Sequence, residues 1–171
     1  MIVKKFVQKK IIRFLNSKKI LKILFYYHKI FNNKGLKNIG FDFTLKKNRK
    51  YIVQEIINIK KYTKYLEIGC FDNELFDVVN INHKTGVDPV SGGTIRLTSD
   101  QFFKNNKEFF DCVFIDGLHT YNQVKKDIQN SLKFLNKNGI ILLHDCLPNN
   151  FYEQATPRRQ WTWNGDVWKA I

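Results

Sequence analysis

Two short apolar runs constrain this chain more than anything else in it. One is Cys112 to Ile115 within FDCVFIDGLHTY, residues 110–121, and the other is Ile140 to Leu143 within GIILLHDC, residues 139–146. Each is four residues long, flanked by turn formers, and shows no polar alternation. Runs of this kind read as strands buried on both faces, which is the condition of a parallel sheet. Each run stops at polar residues. The first ends in Asp116, with Gly117 and His119 close behind; the second ends in His144 and Asp145. Open parallel sheets bind ligands outside the carboxyl ends of their strands. The two runs therefore carry two acids and two histidines to the place where chemistry is done.

The rest of residues 48–171 follows the same rhythm. Residues 48–62 predict an amphipathic helix with Ile52, Ile56 and Ile59 on its apolar face. Residues 65–68 predict the first strand and 74–81 a short helix. Residues 85–88 predict a second strand stopped by Pro89, and 95–98 a third. Ser99 reads as the N-cap of a helix running through Phe103. Residues 121–136 predict the clearest helix, with Val124, Ile128, Leu132 and Leu135 on one face and Lys125, Lys126, Asp127 and Lys133 opposite. Alternating strands and helices predict an α/β fold, a doubly wound, mostly parallel sheet with helices on both faces.

The first strand-to-helix turn is Glu67-Ile68-Gly69-Cys70-Phe71-Asp72-Asn73. Gly69 permits close approach of a ligand to the backbone, and a helix start favours negative charge. Asp88, 19 residues after Gly69 at the end of the next strand, stands where an acid accepts ribose hydroxyls. A G-x-G-x-x-G dinucleotide turn would need glycine where Phe71 and Glu74 stand, which disfavours NAD. Glu67 suits a cofactor with an ammonium group, such as S-adenosylmethionine.

Composition narrows the partners. The formal net charge is +14, but residues 1–64 hold 18 basic and 2 acidic side chains, and the remainder 11 and 13. The half that carries the candidate chemistry is nearly neutral. Only five of the 29 basic residues are Arg, whose forked guanidinium is the usual reader of phosphate and guanine, so nucleic acid is not the expected partner. Residues 1–31 form a basic amphipathic stretch with Val3, Val7, Ile11 and Phe14 on one face. It is too broken by lysine for a signal peptide or a membrane span. It reads as a helix packed on the domain or as a peripheral contact with an anionic membrane face. Residues 1–47 are accordingly one segment, with 32–40 as linker, and 48–171 the domain. Cys70, Cys112 and Cys146 form no CxxC and read as reduced thiols of a cytoplasmic protein.

Taken together, YLEIGCFDNELF, GVDP, RLTSDQFF, the long run from Phe110 to Cys146, and WNGDVWKAI resemble the class I S-adenosylmethionine-dependent methyltransferases. The similarity is to the O-methyltransferase branch that acts on small molecules and sugars, and it covers about residues 50–171. It implies a Rossmann-like sheet of order 3-2-1-4-5-7-6. It implies Glu67, Gly69 and Asp88 at the cofactor, with Ser99 and Asp100 near the adenine. It implies Asp116 and Asp145 as ligands of Mg²⁺ beside the acceptor hydroxyl, and His119 as general base. His144 would orient its neighbours or line the cofactor site. Arg158 and Arg159, in an aromatic loop after the fifth strand, would meet an anionic sugar. The chain ends at Ile171, where the resemblance implies a further helix and an antiparallel strand pair. That points to a fragment or a shortened product, with a sheet edge open to homodimer formation. The alternatives are an inactive homologue serving as a binding or assembly protein, and an NAD-type enzyme.

Overall fold

The computed structural model describes residues 20, 23, 26, 27, 30, 39–42 and 44–171. The expected apolar face at Val3, Val7, Ile11 and Phe14, most of the linker at 32–40, and His28 lie outside the described residues. The described chain groups into two units, 42–144 with 170–171, and 1–41 with 145–169.

The first unit is built on four parallel strands: β1 (Lys64–Ile68), β2 (His83–Val87), β3 (Phe110–Ile115) and β4 (Leu135–Leu143), in the order β2-β1-β3-β4. Strands β1 and β3 are central, so side chains on both faces are buried, Glu67 of β1 among them. Tyr65, Cys112 and Phe114 face one layer with Val53, Ile57, Leu75 and Phe76. Leu66, Ile68, Val113 and Ile115 face the other with Phe102, Phe103 and Phe110. Helix α1 (Arg49–Lys60) supplies Val53 and Ile57 to the first layer; it starts at Asn48, whose side chain accepts the Tyr51 N–H, and stops at Lys61 in left-handed geometry. Helices α2 (Ser99–Asn105) and α3 (Tyr121–Lys133) cover the second.

Several elements differ from the sequence expectation. The helix expected at 74–81 is a series of turns, because Lys84 Nζ donates to the carbonyls of Phe76, Asp77 and Val79 and so takes acceptors a helix would use. The strand expected at 95–98 is reduced to one bridge, Val87 to Ile95. Gly92 and Gly93 turn the chain immediately before it with φ of +65° and +64°, and Thr98 already begins α2. Thr98, not Ser99, is the N-cap: its side chain accepts the Gln101 N–H, and Gln101 reaches back to the Thr98 N–H in a capping box. Strand β4 starts five residues earlier than expected, with Leu135 paired to Phe110 and an irregularity before Cys112 meets Ile140.

The helix faces are also rephased. On α1 the buried pair is Val53 and Ile57, while Ile52 and Ile59 are exposed. On α3 the buried residues are Val124, Asp127 and Ser131, and Leu132 is exposed. Asp127, expected on the solvent face, is in the interior.

In the second unit, the Ile39 and Phe41 N–H groups donate to the backbone and side-chain oxygens of Asn149. Residues 145–166 form an irregular loop followed by a 3-10 turn at Val167–Ala170. Glu153 organises the loop: its carboxylate accepts the Asn149 N–H, and its carbonyl accepts those of Asn164 and Gly165. Arg158 is committed within it, donating to the carbonyls of Gln160 and Trp161 and stacking over the Trp161 and Trp163 rings.

Candidate active site

Strands β1 and β3 end side by side. The Asp116 N–H donates to the Ile68 carbonyl at 2.8 Å, and Gly69 follows with φ of +88°. A Cβ on Gly69 would sit 2.1 Å from the Asp116 carbonyl oxygen. Glycine is therefore required here because two loops touch, and that contact fixes Asp116 at the mouth of the first loop.

Asp116 is the centre of a side-chain cluster within the first unit. His119 Nε2 and His144 Nδ1 both lie 3.2 Å from its Oδ1. Arg49 Nη1 is 3.8 Å from Oδ2 and 3.3 Å from His144 Nε2, and its other arm bonds Glu74 at 2.8 Å. Burial pushes the Asp116 carboxyl up, but the hydrogen bonds from His119 and His144 outweigh it and bring it down to about 2. Asp116 is thus a firm anion between imidazoles. Sequence reasoning missed Arg49; the only signal was an arginine at the first position of a helix in a chain that mostly uses lysine.

Glu67 lies on the core side of β1, 2% exposed, with Tyr65 Oη donating to it at 2.7 Å. Burial raises it to about 7 against the pull of that bond. Asp88 ties two loops together. Its Oδ1 accepts the Val90 and Ser91 N–H groups, its Oδ2 accepts that of Phe71, and Arg96 stands 3.9 Å away. Despite burial these bonds lower its pKa. Asn73, with φ of +64°, accepts the Gly93 N–H at 2.6 Å and links the same loops.

Ser99 and Asp100 meet α3 through Gln123. Its Nε2 lies 3.2 Å from Ser99 Oγ, 3.1 Å from Asp100 Oδ1 and 3.0 Å from Asp127 Oδ1. Two hydrogens thus face three acceptors. Asp127 Oδ2, in a residue 1% exposed, meets no donor among the described residues, and burial raises its pKa. An acceptor-rich patch with an orphaned buried oxygen suits an exocyclic amine such as that of adenine. The residues present therefore fit an adenosine cofactor at this end. Gln123 and Asp127 were not found by sequence; their i,i+4 spacing on α3 was the available sign.

Asp116 is one of the two acids expected to hold Mg²⁺. The ion takes oxygen ligands in near-octahedral geometry. Within this unit the neighbours of Asp116 are two imidazoles and a guanidinium. Asp145, the other expected ligand, belongs to the second unit, where Asn164 Nδ2 donates to its Oδ1 at 3.0 Å.

A parallel sheet with helices on both faces, bearing an acid and a histidine beyond β3 and an acceptor cluster at α2, defines an α/β protein with its site at the strand ends. Residues 41–146, more than half of the chain, match the family model described as a methyltransferase domain, and the chain belongs to that family. No curated protein matches it. Among solved structures it is similar to the O-methyltransferase from Bacillus cereus in complex with SAH, at 13% identity over 75% of this chain and 67% of that one, with a TM-score of 0.47. It is similar also to a putative caffeoyl-CoA O-methyltransferase from Staphylococcus aureus, at 14% identity over 85% and 74%, with a TM-score of 0.46.

Proposed function

We propose that the chain transfers a methyl group from S-adenosylmethionine to a hydroxyl oxygen of a small molecule, with a sugar or glycan intermediate as acceptor. Membership of the methyltransferase-domain family supports the reaction class. The observation that carries the reading is the Asp116–His119 pair at 3.2 Å, beyond the end of β3. Asp116 is anionic, so His119 Nε2 donates to it and Nδ1 keeps the lone pair. That nitrogen takes the acceptor's hydroxyl proton as the oxygen attacks, while Asp116 holds the ring and stabilises the imidazolium. The cofactor supplies a methyl group activated on a sulfonium. Ser99, Asp100, Gln123 and Asp127 would hold its adenine. Gly69 and the loops tied by Asp88 would line its ribose and methionine, and Glu67 would act on its ammonium from beneath.

Calorimetry with S-adenosylmethionine and with NAD tests the first half. Binding of neither removes the enzyme reading and leaves a binding or assembly role; binding of NAD alone replaces it with a dehydrogenase. The second half is tested by following labelled methyl transfer to a panel of hydroxylated acceptors. His119→Ala is expected to lower kcat by roughly 10²–10⁴-fold with cofactor affinity unchanged. An equal loss in cofactor affinity would remove His119 from the chemical step.

A second reading concerns the N-terminal segment. We propose that it makes a peripheral contact with anionic membranes. Ile23, Tyr26, Tyr27 and Ile30 are helical, recur at i, i+3, i+4, i+7, and are 55–69% exposed. Flotation with phosphatidylserine vesicles tests this; an Ile23→Asp/Ile30→Asp variant that floats as well as the wild type would overturn it. No helix among the described residues is long and apolar enough to cross a membrane.

A further inference from the structure

The second layer of the core is filled over β1 and β3 but not over β2. Phe102 and Phe103 of α2 pack there with Leu66, Ile68 and Val113. Thr85 of β2 is the register partner of Leu66, and it faces the same side as Val87, two residues on, which belongs to that layer. Beside Thr85 the space stays open, as a cavity of about 380 Å³ walled by Ile95, Leu97, Phe102 and Phe110. All of these residues lie in the unit that holds 42–144. We propose that this cavity is a second binding site, separate from the one at the strand ends, for a small uncharged aromatic molecule with one N–H or O–H group.

Size and place come first. Clefts that take small molecules measure about 300–1,000 Å³, and this one falls within that range. Its rim includes Asn106, Lys107 and Glu108, in the turn that leads into Phe110. Phe110 opens β3, and Asp116 follows the end of the same six-residue strand. At the rise of an extended strand, rim and acid are about 20 Å apart. A molecule in this cavity therefore does not take part in chemistry at Asp116 and His119.

The lining selects the chemistry of the ligand. Two of the four apolar walls are aromatic, with the Phe102 and Phe110 rings tilted at 45° and their centroids 6.4 Å apart. A flat ring adds edge and face contacts to such a pair. At the rim, Lys107 and Glu108 carry one charge of each sign, and neither makes an ion pair among the described residues. Opposite charges on adjacent residues cancel, so a net charge on the ligand gains little at the mouth and costs free energy against the wall. Asn106 is already committed: its side chain donates to the Glu108 carbonyl at 2.8 Å and accepts the Glu108 N–H at 3.2 Å, which fixes the shape of the rim. Thr85 is left, with a hydroxyl that makes no hydrogen bond among the described residues. Its two lone pairs match a donor on the ligand, and one matched polar contact in an apolar pocket sets orientation.

The probe is indole, added to the full chain without cofactor or acceptor, so the result is independent of whether methyl transfer is the reaction. NMR of labelled Ile and Leu methyl groups is expected to show saturable shifts at Ile95 and Leu97. None is expected at Leu118 or Leu143, which stand at the strand ends. N-methylindole, which lacks the donor, is expected to bind roughly 2–10-fold more weakly than indole. Indoleacetate, the same ring with a carboxylate, is expected to bind more weakly as well. Leu97→Trp puts a ring of the protein into the space and is expected to remove the shift at Ile95. The proposal is overturned by any of five results: no shift at Ile95 and Leu97, shifts centred on Leu118 and Leu143, equal binding of N-methylindole, tighter binding of indoleacetate, or an undiminished Ile95 shift in Leu97→Trp. Thermal melts establish that the variant is folded, and the wild-type shifts with the three ligands decide the matter if it is not.

Discussion

At the scale of single residues, the two carboxylates nearest the centre of the sheet are held in opposite ways. Asp116 is bonded by imidazoles and lowered to about 2, whereas Glu67, on the neighbouring strand, is raised to about 7 because burial dominates. A group whose folded pKa exceeds its unfolded one near 4.5 contributes stability that is present below that value and is lost as pH rises through about 7. The difference corresponds to about 3 kcal/mol. Glu67→Gln, whose amide oxygen still accepts from Tyr65, is therefore expected to melt above the wild type at pH 8 and to converge with it near pH 5. Equal displacement at both values would show that Glu67 does not titrate this way. Asp116 and His119 were legible from sequence because strand ends are predictable positions. Arg49 was not, since its place in the site depends on how α1 packs on the sheet, which no local spacing encodes.

The same limit governs whole elements. Strand β1, expected at 65–68, and β3, expected at 110–116, each fall within a residue of their observed bounds, because burial on both faces leaves no ambiguity of phase. Helix α1 has Ile52, Val53, Ile56, Ile57 and Ile59, so its apolar residues permit more than one face, and the sequence reading chose the wrong one. Helix α3 deceived differently: its buried face carries Asp127 and Ser131, polar groups a periodicity argument sends to solvent. The start of α2 gives a direct check on cap assignment. Thr98→Ala removes the capping box and is expected to cost about 1 kcal/mol in urea unfolding. Ser99→Ala is expected to leave stability nearly unchanged while weakening S-adenosylmethionine binding, because Ser99 Oγ faces Gln123. A larger stability loss from Ser99→Ala than from Thr98→Ala would reverse these roles.

For the molecule as a whole, charge is divided along the chain, with the excess of lysine before residue 65 and near balance after it. If that excess serves an anionic surface, vesicle binding is expected to weaken by about tenfold or more between 50 and 500 mM salt and to be absent on zwitterionic lipid; affinity indifferent to salt would assign the contact to its apolar face alone. The alternation of strand and helix gave the architecture because connections in parallel sheets are nearly obligatory. The weak third strand was misjudged because a paired glycine turn and a helix cap compete for the same few residues. One feature bears on how such a protein recognises its ligand. The side chains of Asp88 and Asn73 hold the loops after β1 and β2 by accepting backbone N–H groups, bonds that need no ligand to form. Segments ordered in advance have little conformational freedom left to surrender on association, at about 0.5–1.5 kcal/mol saved for each side chain already fixed. Loops fixed in this way favour a ligand that matches their shape at first encounter over one that needs them to rearrange.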